Sequence, residues 1–190
     1  MGEVFEFTVN GQVQRTEEDK PLLRYLRDDL KLYSVKDGCS EGACGTCTIV
    51  VDGKAIKSCV LTTKRAVGRN ILTVEGLSDE WKDAFVYAFG AVGAVQCGFC
   101  IPGMVMAGTA LLQNNLNPTE EDVKYALRGN ICRCTGYKKI IEGILLTAKI
   151  LRGEASVDED LEKGDLYGVG QKAFRVDVRK KVLGFGKYPD

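Results

Sequence analysis

The stretch Gly38-Cys39-Ser40-Glu41-Gly42-Ala43-Cys44-Gly45-Thr46-Cys47 gathers three thiols and three glycines into one short loop. With Cys59 it reads C-x4-C-x2-C-x11-C. A second block, Cys97, Cys100, Cys132 and Cys134, reads C-x2-C-x31-C-x-C. The two blocks use all eight cysteines of the 190-residue chain. Four thiolates are the ligand set of one [2Fe–2S] cluster, so the chain reads as a carrier of two such clusters. A binuclear cluster is compact, and its ligands must converge on it from several directions. Glycine helps backbone curl around it by relaxing the steric limits on φ. It also leaves amide N–H groups able to point at sulfur, which helps set a cluster's potential.

The first block has the plant-type ferredoxin spacing, and Cys59 closes it from beyond an Asp52-Gly53 turn. The second block is built differently. Gln96-Cys97-Gly98-Phe99-Cys100-Ile101-Pro102-Gly103 leads into an apolar, small-residue stretch, Met104 to Leu112. Pro102 suits the first turn of a helix. Gly129-Asn130-Ile131-Cys132-Arg133-Cys134-Thr135-Gly136-Tyr137 lies between two further helical patterns. Two loops at helix starts can therefore face each other and hold the second cluster between them.

Disulfides and structural zinc are the competing readings of the cysteines. Small secreted domains need disulfides, but this chain is longer than they are and shows no signal peptide. Its N-terminus, Met1-Gly2-Glu3-Val4-Phe5, lacks a basic region followed by an apolar run. One residue between Cys132 and Cys134 is a poor spacing for a bond between them. Zinc sites usually pair two C-x2-C hooks or add His. The chain has no His, and neither block has two hooks.

Hydrophobic residues make up 45% of the chain, enough for real cores in one or two domains. The 26 basic and 26 acidic residues cancel, so nothing argues for nucleic acid or an anionic membrane. No stretch approaches the length of a transmembrane helix. A reducing cytoplasm is the expected compartment, and it suits free thiolates.

The pattern along the chain predicts an α+β fold. Val4 to Val9, Asn10-Gly11 and Val13 to Thr16 form a β-hairpin signal. Pro21 to Leu30 carries the apolar spacing of an amphipathic helix. Thr48 to Val51 and Lys54 to Lys57 flank Asp52-Gly53 as a second hairpin, and Ile71 to Val74 reads as another strand. Residues 1–76 are thus expected to form a β-grasp, ferredoxin-like domain. From Leu77 the texture becomes helical. Ser78 can cap a helix through Trp81, Phe85 and Phe89. Met104 to Asn114 follows, then a helix opening at Thr119-Glu120-Glu121-Asp122. Residues 137–152 form the last, stopped by Gly153. Residues 77–153 are expected to be an all-α, four-helix domain around the second cluster. Residues 154–190 are polar, lack a core of their own, and read as an extended arm or linker that docks on a partner.

These motifs resemble the iron–sulfur subunit, or N-terminal domain, of the molybdenum hydroxylases, relatives of xanthine oxidase and aldehyde oxidoreductase. The resemblance covers residues 3 to about 152 and rests on the 38–47, 96–104 and 132–137 segments, in order. It implies an outer cluster at Cys39, Cys44, Cys47 and Cys59. It implies an inner cluster at Cys97, Cys100, Cys132 and Cys134, beside the molybdopterin of a larger subunit. Gln96 matches the family's hydrogen-bond partner of the pterin, and Cys134 the inner ligand that also approaches it. Taken alone, Gln96 is a polar residue at a helix–loop junction. Electrons would run from molybdenum through both clusters to FAD, in a further subunit, or to an external acceptor. Gly168-Val169-Gly170-Gln171-Lys172, Arg175-Val176-Asp177, Lys181-Val182-Leu183-Gly184 and Lys187-Tyr188 look like the opening of the family's molybdenum-binding subunit. A freestanding two-cluster ferredoxin-type carrier is the reading from a different class. Gln96 and the partner-like tail argue against it.

Overall fold

A computed structural model describes residues 3–157 and 174–188 of the chain. Strand β1 (Phe5–Val9) pairs antiparallel with β2 (Gln12–Thr16). The turn between them holds Asn10 at φ 50° and Gly11 at φ 80°, the doubly left-handed geometry of tight hairpins. Asp52 (φ 47°) and Gly53 (φ 77°) repeat it between β3 (Thr48–Val51) and β4 (Lys54–Lys57). Strand β5 (Asn70–Leu72) joins the hairpins into one sheet of order β2-β1-β5-β3-β4. It runs parallel to β1, with Val9 opposite Ile71, and antiparallel to β3, with Val50 opposite Leu72.

Two differences from the sequence reading fall in this half. The strand expected over Ile71 to Val74 ends at Leu72, because the Thr73 amide donates to Asn10 Oδ1 at 2.9 Å. Val74 then enters a 3-10 turn, Val74–Gly76, and is buried. The helix expected over Pro21 to Leu30 is a short α1 (Leu22–Arg24) that widens into a π-helical turn, Tyr25–Asp29. The Leu30 amide reaches back five residues to the Tyr25 carbonyl at 3.1 Å. Apolar spacing alone does not distinguish that turn from a normal one.

Four helices follow: α2 (Asp79–Ala91), α3 (Ile101–Asn114), α4 (Glu120–Leu127) and α5 (Lys138–Leu151). Ser78 Oγ accepts the Trp81 amide at the start of α2. Thr119 and Asp122 form a reciprocal capping box at α4. Helix α3 is buried almost all round, as its apolar composition requires. Its small residues let neighbours come close. A Cβ on Gly103 would stand 2.5 Å from the Gly45 carbonyl oxygen.

Two hydrophobic clusters result. Phe7, Val9, Leu22, Leu23, Leu26, Ile49, Val51 and Ile71 fill one, on one face of the sheet. Phe85, Phe89, Ile101, Met104, Leu112, Ile140 and Ile144 fill the other, between helices. Strand β3 belongs to both. Ile49 and Val51 point into the first, and Val50 into the second. All four of its residues are buried, which explains its unbroken apolar run Ile49-Val50-Val51.

The stretch 154–190 departs from the extended arm expected of it. Its described part holds a short helix, α6 (Val178–Val182). Val178, Val182 and Leu183 are buried among the helices of the same chain. Apolar residues at positions i, i+4 and i+5 give this segment one sticky stripe, and Lys181 pairs with Asp177 one turn back at 3.0 Å. The Gly168 to Lys172 part of the tail motif lies outside the described residues. Among the described residues, no helix is long and apolar enough to cross a membrane.

Candidate iron–sulfur sites

The first block is local. Its loop turns through left-handed backbone at Ser40 (φ 52°), Gly42 (φ 79°) and Gly45 (φ 72°). A Cβ at Gly42 would press within 2.7 Å of Val60 Cγ1. The Gly42 amide points at Cys59 Sγ (3.2 Å), and the Cys44 amide at Cys39 Sγ (3.4 Å). Thr46 Oγ1 lies 3.2 Å from Cys44 Sγ. Lys57, on β4, donates from Nζ to the carbonyls of Gly42 (2.7 Å) and Ala43 (3.2 Å). Cys59 sits in the 3-10 turn Ser58–Val60 directly after β4, which brings it to the loop.

Donors and burial split the thiols of this block. The amides of Cys44 and then Glu41 hold the Cys39 thiol down to about 7, since they stabilise its thiolate. Burial, and then the neighbouring Cys47 thiol, push Cys59 up to about 11. The backbone is thus arranged to receive negative sulfur on the loop side.

The second block is assembled from distant segments. Cys97 and Cys134 are exposed, with their sulfurs 3.6 Å apart. Cys100 is buried at the start of α3. Burial, and then the negative character of Cys132 beside it, push its thiol far up. Burial also pushes Cys132 up, but the Thr135 hydroxyl and the Cys134 and Thr135 amides outweigh it and leave that thiol lowered. Thr135 Oγ1 donates to Cys132 Sγ at 3.1 Å. The Cys132 amide donates to the Tyr137 hydroxyl oxygen at 3.0 Å. Tyr137 adopts φ 69°, a strained value for a non-glycine residue, at the turn into α5.

Each set of four thiols comes with amide or hydroxyl donors aimed at its sulfurs. That donor chemistry fits a sulfide-bridged cluster. Among the described residues, no group of three or more His, Cys, Asp or Glu side chains is placed to hold a single metal ion. A binuclear cluster instead spreads its four ligands around two irons.

The loops of the two blocks touch. The Ile131 amide, next to Cys132, donates to the Cys44 carbonyl at 2.8 Å. Asn130 Nδ2 donates to the Gly45 carbonyl (2.8 Å) and to Thr48 Oγ1 (3.1 Å). Asn130 is only 6% exposed, so this amide is a buried clamp between the blocks. Gln96 is exposed beside Cys97, and its carbonyl accepts from Arg175 and Lys181. Lys57, Asn130, Lys181 and Tyr188 were not legible as site residues, because each acts on a backbone carbonyl or amide chosen by the fold.

The known proteins that this chain resembles bear on both blocks. The family of 2Fe-2S iron–sulfur cluster binding domains matches residues 7–71, and the [2Fe-2S] binding domain family matches residues 73–145. The nicotinate dehydrogenase small FeS subunit of Eubacterium barkeri is 44% identical over 135 residues, covering 70% of this chain and 86% of that protein. The xanthine dehydrogenase iron–sulfur-binding subunit of Escherichia coli O157:H7 is 43% identical, over 74% of this chain and 91% of that one.

This chain belongs to the iron–sulfur subunits of the molybdenum hydroxylases. A solved structure agrees at the level of fold. The aldehyde oxidoreductase of Desulfovibrio desulfuricans ATCC 27774 superposes with a TM-score of 0.85 at 35% identity, covering 98% of this chain and 21% of that longer one. As an iron–sulfur subunit of this family, the chain carries two [2Fe–2S] clusters and serves electron transfer within an oxidoreductase.

Proposed function

We propose that this iron–sulfur subunit conducts electrons from a molybdopterin centre in a large partner subunit, through its second thiol block and then its first, to FAD or an external acceptor. The contact between the two loops carries this reading. Cys44 and Cys132, one thiol from each block, are linked by short covalent runs and one 2.8 Å hydrogen bond, from the Ile131 amide to the Cys44 carbonyl. When bound, a [2Fe–2S] cluster takes up and releases one electron at a time. Cys39, Cys44, Cys47 and Cys59 hold the outer cluster, and Cys97, Cys100, Cys132 and Cys134 the inner one. Residues 1–76 form the plant-type, β-grasp part and residues 77–153 the four-helix part. The described part of the C-terminal stretch, 174–188, packs back on the helical part beside the Gln96–Phe99 loop.

Gln96 and Cys134 meet the partner's pterin. Their exposure, together with that of Cys97, leaves this face of the inner block open to such a contact. The outer block supplies the exit. The substrate is set by the partner. The relatives named for nicotinate, xanthine and aldehydes point to a heterocycle or a carbonyl compound.

Gently purified native protein tests the reading by metal analysis and low-temperature EPR after dithionite reduction. The expected result is four irons per chain, two distinct [2Fe–2S] signals and near-stoichiometric molybdenum in a co-purifying large chain. Two clusters in a chain that purifies alone and without molybdenum would overturn it in favour of a freestanding carrier.

A further inference from the structure

The C-terminal segment returns to one place, the Gln96–Phe99 loop that carries the exposed Cys97. Arg175 Nη1 (2.9 Å) and Lys181 Nζ (3.1 Å) both donate to the Gln96 carbonyl. The Tyr188 hydroxyl donates to the Cys97 carbonyl at 3.0 Å. Its ring stands edge-on to Phe99, with centroids 5.2 Å apart. The Lys181 stem lies against Gly98, where a Cβ would come within 2.6 Å of Lys181 Cδ. The segment is also anchored from the side of the sheet. Lys36, only 6% exposed, donates from Nζ to the Gly184 carbonyl at 2.9 Å. The same ammonium lies 5.5 Å from the centre of the Tyr188 ring.

The two accepting carbonyls belong to peptide units whose N–H groups are those of Cys97 and Gly98. A donor on the oxygen of a peptide unit strengthens the N–H at its other end, because hydrogen bonds in a chain polarise one another. Charge acts in the same direction. Lys181 and Arg175 are cations, and Asp177, paired with both, is the counter-ion on the segment. Two cations against one carboxylate leave these three groups with an excess of positive charge at the Gln96 carbonyl, next to Cys97. The Lys181 side chain is 14% exposed, so water and salt screen it less than a free surface ammonium.

We propose that segment 174–188 tunes the inner centre: Lys181, Arg175 and Tyr188 raise the reduction potential of the cluster held by Cys97, Cys100, Cys132 and Cys134. Reduction adds one electron, supplied by substrate oxidation in the assembled hydroxylase, and takes the cluster with its thiolates from a charge of two minus to three minus. No bond forms or breaks. Positive charge and strengthened N–H donors stabilise the more negative state, so the potential rises. These residues position charge and dipoles and do not themselves react.

The inference rests on the proposed function, namely that the second block holds a cluster. An EPR-monitored potentiometric titration of the intact assembly tests it. Lys181→Gln should move the inner signal to lower potential and Asp177→Asn should move it to higher potential. The outer signal should stay fixed in both, and Lys181→Arg should keep the native value. A segment that merely braces the loop would shift both variants in one direction as it loosened. That pattern, or no shift in either variant, overturns the proposal. If Lys181→Gln loses inner iron, Tyr188→Phe decides, since it removes one hydroxyl. A lowered inner potential supports the proposal and an unchanged one overturns it. Absence of an inner cluster from the native protein would instead strike the proposed function, so the two failures are distinguishable.

Discussion

The two thiol blocks hold the same number of sulfurs by opposite means. The first draws its four cysteines from residues 39 to 59, and its supporting donors, the Gly42 and Cys44 amides and Lys57, lie in the same stretch. The second draws on loops separated by all of α3 and α4, then adds hydrogen bonds to the Gln96 and Cys97 carbonyls from Arg175, Lys181 and Tyr188. One site is local, and the other exists only once the helices have packed. Sites of the second kind form late in folding, because long loops must close before their contacts bring any gain.

The contrast is broken or sharpened by substitution. Cys100→Ser should have the largest effect. It should abolish the inner EPR signal and nearly all acceptor reduction while substrate still reduces molybdenum; normal acceptor reduction would sink the proposed route. Cys59→Ser should remove the outer signal and leave the inner one largely assembled. The opposite spectral pattern would mean that the two blocks are exchanged in the route.

Asn130→Ala should cost about 1–3 kcal/mol, because it removes two buried hydrogen bonds, to the Gly45 carbonyl and to Thr48 Oγ1, each worth about 0.5–1.5 kcal/mol. Thermal denaturation should show a lowered Tm with both signals retained, and an unchanged Tm would remove Asn130 from the contact between blocks. Thr119→Ala should have the smallest effect, about 1 kcal/mol from loss of a helix cap. Hydrogen exchange should quicken in α4 and in the Gly129 to Tyr137 loop before it does in the first block. Equal quickening in both blocks would mean that they are not separable in the way the architecture suggests.

The same division governed what the sequence made legible. The Asn10-Gly11 and Asp52-Gly53 turns, the Ser78 and Thr119 caps and the first cysteine loop were readable because each is written in adjacent residues. The parallel pairing of β1 with β5 was not, since nothing near Val9 names Ile71 as its neighbour. The strand end at Leu72 was missed because Asn10, sixty-three positions away, captures the Thr73 amide. Helix α6 was missed because Arg179, Lys180 and Lys181 hide its short apolar stripe. The cysteines of the second block were legible by spacing, but some of the hydrogen bonds around them come from segments as distant as Cys44 and Tyr188.

Strand β3 leaves a mark on how the protein comes apart. Ile49 and Val51 look one way and Val50 the other, and neither face is wet. Two clusters of side chains that share one strand are coupled, so loss of either uncovers apolar surface of the other. A cut near residue 76 would strip the helices from the Val50 and Leu72 side of the sheet. The severed N-terminal piece would keep its full cysteine loop and gain a raw oily face, the kind of surface on which proteins aggregate.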